Sequence, residues 1–548
     1  MKTLYRTIFI IGILGTISSC SEELLVEDPP HILVADNLYT DLTGFEAGLN
    51  GLYAQVHWER SGLSRYHGPN DLMIDPAVNG TDNMYANYFG SFGNTANDWG
   101  TRNSSTSKFY REFWKWLYQT INAANTIINR AENPGINWFG EGGTEEENKN
   151  RVIAEARLIR AWCYRHATFM WGDVPYTDQE SGSVIKSDWE RTPVVEVRAK
   201  MEEDLLFAEE HLPETSENPG KVVKGVATHY LAELYLTTGD PESAKTKAQS
   251  LINSGVFSLV TQRFGVDASN PGTPFADMFL AGNANGHEGN TEALWVLQAQ
   301  LYVVDPDFGF IMRRWHRNRQ DKVKVNRVSG TIEYSVENGG RGIGRNGPTR
   351  YAMELYEAGD DRGGVSAWRT YEVINSPWVT LPEGWAIGDT VWHNWQGQDE
   401  KVNNPYWPST RKWDGTDPND LAAPRSYDDQ VYLRLAETYL LLAEAELLTN
   451  GADAAAATLN ILRSRSNASP VTGADVDMDF LLDERSRELY SEEHRRYTLI
   501  RTGTLFERVQ RYNLIAAPNF TLRDTIYPIP QDVIDANLTH EMRQNPGY

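Results

Sequence analysis

Apolar residues recur at helical spacing in two separated stretches of the chain, and the pattern dissolves between them. Phe113, Leu117, Ile121, Ala124 and Ile128 fall on one helical face, as do Val152, Ala156, Ile159, Cys163, Ala167 and Met170 in the next segment. This spacing predicts two packed helices. Ala227, Tyr230, Leu231, Leu234 and Tyr235 form a third stripe; Gly239-Asp240-Pro241 supplies a turn; Ala244, Ala248, Leu251 and Ile252 form a fourth stripe that stops at Gly255. The small alanines allow close approach, so the pair reads as a helix hairpin of tetratricopeptide type. A similar pair returns at Leu435, Tyr439, Leu442, Ala443 and Glu446, then Asn450-Gly451, then Leu459 and Leu462. The hairpins stand too far apart in sequence for a simple tandem array.

Residues 256–425 read differently, with short β-rich runs such as Ala293 to Gln298, many glycines and prolines, and long stretches without period. They predict loops and short strands laid over a helical frame. Seven of the seventeen tryptophans (Trp368, Trp378, Trp385, Trp392, Trp395, Trp407 and Trp413) fall between 365 and 413, so aromatic surface concentrates where periodicity is weakest. Loops positioned by a rigid frame carry function more often than the frame does. Those from 378 to 395 are candidates for a rim or a partner contact, which the sequence does not sort, whereas Trp295, inside an apolar run, is expected in the core.

The N-terminus adds an address. Lys2 and Arg6 precede an apolar run from Ile8 to Leu14, and Ile17-Ser18-Ser19-Cys20 resembles the lipobox cleaved before a lipid-bearing cysteine. Residues 1–19 are thus expected to be a lipoprotein signal peptide, with Cys20 lipidated and anchoring the chain. The apolar run falls well short of the roughly 20 residues that cross a bilayer, and no comparable run recurs. Ser21-Glu22-Glu23 resembles the acidic signal that exports lipoproteins to the outer face of the outer membrane, facing the medium.

Composition fits a folded body on that tether: 40% hydrophobic and 23% charged residues can bury a large core. The formal charge of −24 falls to −26 once the two cations of the signal are lost. That excludes a phosphate-tracking nucleic-acid binder and argues against lying flat on an anionic membrane. The only cysteines are Cys20 and Cys163, so acylation of Cys20 leaves no intrachain disulfide, and Cys163 is expected as a small buried thiol.

Several motifs, in order, now carry a family resemblance. Glu155-Ala-Arg-Leu-Ile-Arg-Ala161, running into Met170-Trp-Gly-Asp-Val-Pro175, resembles the signature helix and turn of the SusD/RagB family of outer-membrane nutrient-binding lipoproteins. Leu433 to Glu437, Asn460 to Arg463, Glu484-Arg485 to Glu488-Leu489, Arg495-Arg496, Arg501, Pro528-Ile-Pro530 and Gln544 to Tyr548 resemble its C-terminal half. The resemblance implies a mainly α fold spanning 20–548, with four tetratricopeptide-like helix pairs supporting a loop-rich region with short strands. Its parts would be an N-terminal helical half (20–255), a variable region (256–425) and a C-terminal helical part (426–548). It also implies a lid on a SusC-like TonB-dependent transporter that captures oligosaccharides for import. The signature charges Glu155, Arg157, Arg160, Glu484, Arg485, Glu488 and Arg495 sit at spacings suited to ion pairs, a scaffold role. Asp361-Arg362 looks like a structural pair of the family.

The ligand site is then sought where such proteins vary. Sugars present flat apolar C–H faces and a rim of hydroxyls, so a binder needs aromatic platforms ringed by carboxylates, amides and guanidinium groups. Residues 66–99 offer that mixture: Tyr66, Tyr85, Tyr88, Phe89, Phe92 and Trp99 interleave with Asn70, Asp71, Asp75, Asn79, Asp82, Asn83 and further amides. Asp82, Asn83, Tyr85 and Trp99 lead, because Gly80-Thr-Asp-Asn suggests a turn presenting them outward. Arg313-Arg-Trp-His316 places a cation, a platform and an imidazole together, so Trp315 is expected to stack on a sugar with Arg313 or His316 donating to hydroxyls; the competing role for Trp315 is the core of a strand.

Other motifs fail their context. Gly342-Ile-Gly344-Arg-Asn-Gly347 matches a dinucleotide fingerprint but follows a loop and runs into Pro348. There is no HExxH, no GxSxG and no spaced Cys/His cluster, so no metal or catalytic residue is expected; calcium on the Asp/Asn-rich loop is the one metal that the composition leaves open. The expectation is a non-catalytic glycan-binding lipoprotein. Its alternatives are a peptide or glycopeptide binder of RagB type and a surface glycoside hydrolase, which would need two carboxylates flanking a cleft.

Overall fold

The computed structural model describes residues 35–62, 72–87, 91–140, 142–182, 185–300, 309–402 and 404–548. The signal and the lipid-bearing Cys20, and Tyr66, Asn70, Asp71, Tyr88 and Phe89 of the N-terminal loop, lie outside the described residues.

The architecture is mainly α. The long helices of the N-terminal half are α1 (Leu42–Ser61), α2 (Lys108–Arg130), α3 (Glu145–Trp171), α4 (Val194–His211), α5 (Lys224–Thr238) and α6 (Pro241–Asn253). A short helix, α7 (Met312–His316), sits in the middle region. The C-terminal part holds α8 (Leu435–Thr449), α9 (Ala452–Arg465), α10 (Met478–Leu489), α11 (Arg495–Arg501) and α12 (Leu505–Tyr512). Successive helices stack on one another from α1 to α6, and α8 then packs on α6 and α9 on α8, so the frame resumes after the middle region.

Local chemistry sets the helix ends. Thr144 caps α3 by accepting from the Glu147 amide while Glu147 returns the bond to the Thr144 amide, an arrangement worth about 1 kcal/mol. Gly239, at φ +84°, closes α5 in the left-handed region that side chains resist. Asp240 then accepts from the Ser243 amide, and Pro241 opens α6. Helix α3 is buried on nearly every face because α1, α2 and α4 surround it. Cys163 lies inside it, and burial pushes its thiol well above the ordinary range.

The middle region contributes antiparallel pairs of short strands: β1 (Met84–Ala86) with β3 (Asn346–Pro348), β2 (Ala293–Leu297) with β8 (Gln430–Arg434), β4 (Trp368–Arg369) with β7 (Ser409–Thr410), and β5 (Tyr371–Val373) with β6 (Thr390–Trp392). Strand β8 runs directly into α8 and thereby ties this layer to the frame. Trp295 on β2 is fully buried, its indole N–H donating to the Gly220 carbonyl. A second apolar core, including Leu72, Met84, Tyr85, Trp315, Trp368 and Trp407, lies under the loops.

The signature charges clamp the two layers together. Glu488 on α10 accepts from Arg434 at 2.5 Å, from Arg362 at 3.1 Å and from Arg465. Burial alone would raise its carboxyl, but the three guanidiniums hold it well below the carboxylate range. Arg160 makes a two-pronged pair with Asp204, at 2.8 and 2.7 Å. One expectation needs correction: Arg362 pairs with Asp360, at 2.8 Å, whereas Asp361 accepts from Asn467.

Candidate functional site

The turn at Gly80 forms as its composition suggests, with φ +68°, but it faces inward. A Cβ at Gly80 would stand 2.6 Å from the Trp99 ring, so glycine permits the close packing. Asp82 receives Arg495 Nε and Nη2 at 2.9 and 2.6 Å and Arg508 Nε at 2.7 Å. Burial would push this carboxyl up; the two guanidiniums hold it down at about 2. The Asn83 side-chain amide donates to Ser486 Oγ at 3.1 Å, and Tyr85 is fully buried. Trp99 stacks on Tyr527, with centroids 6.1 Å apart and planes 12° apart, and takes the edge of Phe520. These four residues therefore form core and scaffold rather than a sugar platform: helices α10 to α12 close over Asp82 and Asn83, the segment after α12 over Trp99, and the middle region over Tyr85.

The second group meets the same fate. Arg313, 1% exposed, donates to the carbonyls of Arg341 at 3.2 Å and Ala423 at 2.7 Å. Trp315 is core, 3% exposed, with the Arg345 guanidinium 4.6 Å over its ring, but it sits on the helix α7 rather than on the strand expected of a core role. His316 is buried, and burial, reinforced by Arg60, lowers its pKa to about 3, so the imidazole is neutral. The N-terminal loop and the middle region do meet: β1 pairs with β3, and Asn346 on β3 stands 3.4 Å from His316. The meeting is a packed seam.

The Gly342 to Gly347 run serves that seam. A Cβ at Gly342 would lie 2.2 Å from the Arg317 carbonyl, and Gly344 has φ +57°. The glycines let the chain lie against α7, with Ile343 N–H donating to Arg314 O and Gly344 N–H to Arg317 O, both at 2.8 Å. In the N-terminal loop, the Asp75, Asp82 and Asp98 carboxylates accept hydrogen bonds from protein donors.

The structure sorts the tryptophans that the sequence left together. Trp368, Trp395, Trp407 and Trp413 are buried, Trp385 is half-buried, and Trp392 and Trp378 are 62% and 82% exposed. The β5–β6 register explains Trp392. Tyr371 stands opposite Trp392, and Glu372 opposite Val391. Successive strand residues point to opposite faces, so burying Val391 and Glu372 turns Trp392 and Tyr371 outward. Their rings lie 5.1 Å apart at 51°. Glu372 fixes the inner face: it receives Arg317 Nη2 at 2.5 Å and faces His393 at 3.5 Å. Burial would raise this carboxyl, but Arg317 and His393 hold it low. Exposed Asn394 and Gln396 follow on the same segment. An indole and a phenol flanked by side-chain amides can take the apolar face of a sugar ring and hydrogen-bond its hydroxyls. Period-two alternation in Tyr371-Glu-Val and Thr390-Val-Trp was the available signal, masked by a charged residue on the inward face.

One buried cluster, Glu59, His166 and His494, has metal-ligand composition. Arg165 Nη1 lies 3.0 Å from His494 Nδ1, and a guanidinium only donates, so the ring proton belongs on Nε2, 2.7 Å from Glu59. Burial, with Arg165 adding to it, holds His494 neutral. The donor set is that of a hydrogen-bond relay.

Two family models match the chain: the SusD family over residues 383–548, and a family described as starch-binding, associating with the outer membrane, over 76–236. The chain belongs to the SusD/RagB family. "SusD-like protein P2" of Formosa agariphila is 27% identical, with 99% of each chain aligned. The "Starch-binding protein SusD" of Bacteroides thetaiotaomicron is 31% identical over 199 residues, covering 35% of this chain and 31% of that one. Among solved structures, a SusD homolog from Bacteroides thetaiotaomicron superposes with a TM-score of 0.70 at 20% identity, covering 94% of this chain and 98% of its own. A "Laminarin binding SusD-like protein" does so at 0.68 and 19%, covering 93% and 100%. These structures establish the SusD fold. Among the described residues, no helix of this SusD-family chain is long and apolar enough to cross a membrane.

Proposed function

We propose that this protein is a cell-surface glycan-binding lipoprotein, anchored through lipid on Cys20 at the outer face of the outer membrane. It captures oligosaccharide without cleaving it and delivers it to a SusC-like TonB-dependent transporter. The observation that carries the reading is exposed Trp392, with half-buried Tyr371 beside it, on a hairpin whose inner face is pinned by Glu372 and Arg317. A rigid platform loses little entropy on binding, and weak stacking suits a ligand that must be passed on. The starch-binding and laminarin-binding names carried by relatives support the ligand class. The reading needs no cofactor and no nucleic acid.

The test is calorimetry of the mature chain, lacking only Cys20, against plant, microbial and host oligosaccharides, with chromatography of the products. Micromolar-to-millimolar binding of an oligosaccharide that is recovered intact is the expected result. Hydrolysis would replace this reading with the glycosidase, and binding of peptides alone with the RagB-type alternative.

A further inference from the structure

Many buried arginines in this protein are matched by acids. Arg317, Arg362, Arg369, Arg434, Arg465, Arg485, Arg495 and Arg508 all reach carboxylates. The outer side of α7 is different. Segment 341–345 is laid against this helix by bonds from Ile343 N–H to Arg314 O and from Arg345 N–H to Trp315 O, while Arg313 grips the Arg341 carbonyl. Half-buried Arg314, Arg341 and Arg345 are thereby gathered at one surface.

The surroundings of Arg314 are dominated by other cations. Burial lowers the pKa of Arg314 to about 10, and the further causes are four other cations: Arg341, Arg345, Arg313 and Arg425. Among the described residues no carboxylate lies within ion-pairing distance of Arg314 or Arg341, and Arg314 Nε is buried with no hydrogen-bond partner. Guanidiniums packed side by side repel, and a partly buried donor without an acceptor costs free energy. In a chain of formal charge −24, such a cluster stands out from the mean field. An anion from outside the chain would supply what is missing, and the planar fork of arginine suits sulfate and carboxylate alike.

We infer that Arg314 and Arg341, backed by Arg345, form an anion-binding site for the sulfate or carboxylate groups of an acidic glycan. The inference rests on the glycan-binding reading and narrows it to a class of substrate. The aromatic hairpin belongs to the same unit: Arg317, the residue that ends α7, holds Glu372 on β5, and Asn338 bonds both Arg317 and Val373. Stacking would be supplied by Trp392 and charge recognition by Arg314 and Arg341.

The experiment is calorimetry with an oligogalacturonate (carboxylate only), a carrageenan oligosaccharide (sulfate only) and a neutral laminarin oligosaccharide, at about 20 and 200 mM salt. At least one acidic probe should bind about tenfold tighter than the neutral one at low salt and weaken as salt rises. R314Q/R341Q should weaken that binding about 10- to 100-fold, as expected for charge-assisted hydrogen bonds, with R314K/R341K losing much less. The melting temperature should fall in neither, because R314Q/R341Q removes two mutually repelling cations and R314K/R341K keeps the charge at half-exposed positions. Which acidic probe wins tells sulfate from carboxylate. Equal or tighter binding of the neutral glycan, or full acidic-glycan affinity in R314Q/R341Q, overturns the anion site while leaving glycan capture standing; no binding of any glycan removes both.

Discussion

In the helical frame, the most deeply buried arginines and tryptophans include several that find their partners inside the fold. Arg165 holds Glu233 at 2.5 and 2.7 Å, Arg160 holds Asp204, and the indole N–H groups of Trp162 and Trp171 donate to Tyr432 and to the Pro528 carbonyl. In the loop-rich layer the same residue types divide. Trp368 and Trp407 fill its core, yet Trp378 and Trp392 stand in solvent; Arg317 and Arg369 find carboxylates, yet among the described residues Arg314 and Arg341 do not. The frame packs these groups inward, whereas the layer turns some of the same residue types outward. Outward aromatics and cations on a packed scaffold point to where a ligand makes its contacts.

Acid should act on the inward, matched groups with the largest effect. Burial holds His57, His229 and His316 at about 3, so they stay neutral in the fold while the unfolded chain protonates near 6.5. The unfolded state binds more protons between those values, so stability falls as pH drops from 6.5 toward 3. Glu233 and Asp82, each held at about 2 against burial by their arginines, add to the loss once pH falls below their unfolded values of 4.5 and 3.8. Urea midpoints that rise steadily from pH 4 to pH 7 are the expected result.

Next in size is Asp82→Asn. It leaves Arg495 and Arg508 without their shared carboxylate in the interior and should cost about 3–5 kcal/mol of stability, read from urea unfolding. Glycan affinity of the folded protein should not change, which separates this residue from the site. Trp392→Ala should do the reverse: affinity falls by about 2 kcal/mol, roughly thirtyfold, by calorimetry, while stability moves by less than about 0.5 kcal/mol. Trp378→Ala should have the smallest effect, about 1 kcal/mol in affinity, because no ring partner supports it as Tyr371 supports Trp392. A destabilised Trp392→Ala or a ligand-blind Asp82→Asn would dissolve the contrast between the regions.

The frame was legible because burial imposes a period. The stripes through Phe113, Val152, Ala227, Ala244 and Leu435 became helices, Trp295 and Cys163 are buried, and the signature charges pair as scaffold. The site was legible only as a region. Gly80-Thr-Asp-Asn does make a turn, but its direction depends on Arg495 and Arg508, more than four hundred residues away, which no local pattern encodes. On α7, adjacent residues diverge by about 100°, so Arg313 is buried and Arg314 half-exposed; the sequence alone gave no reason to choose between them. Trp392 and Trp395 look alike as letters, and only the β5–β6 register and the following turn send one outward and the other in.

Ligand should meet the outward aromatics of the loop-rich layer and not the residues buried along the β1–β3 seam. Hydroxyl-radical footprinting of the tryptophans, with and without a bound oligosaccharide, tests it directly. Trp392 and Trp378 should oxidise in the free protein and be protected by glycan, while Trp99 and Trp315 stay unlabelled in both states. Glycan-dependent protection at Trp99 or Trp315, with Trp392 unchanged, would contradict it.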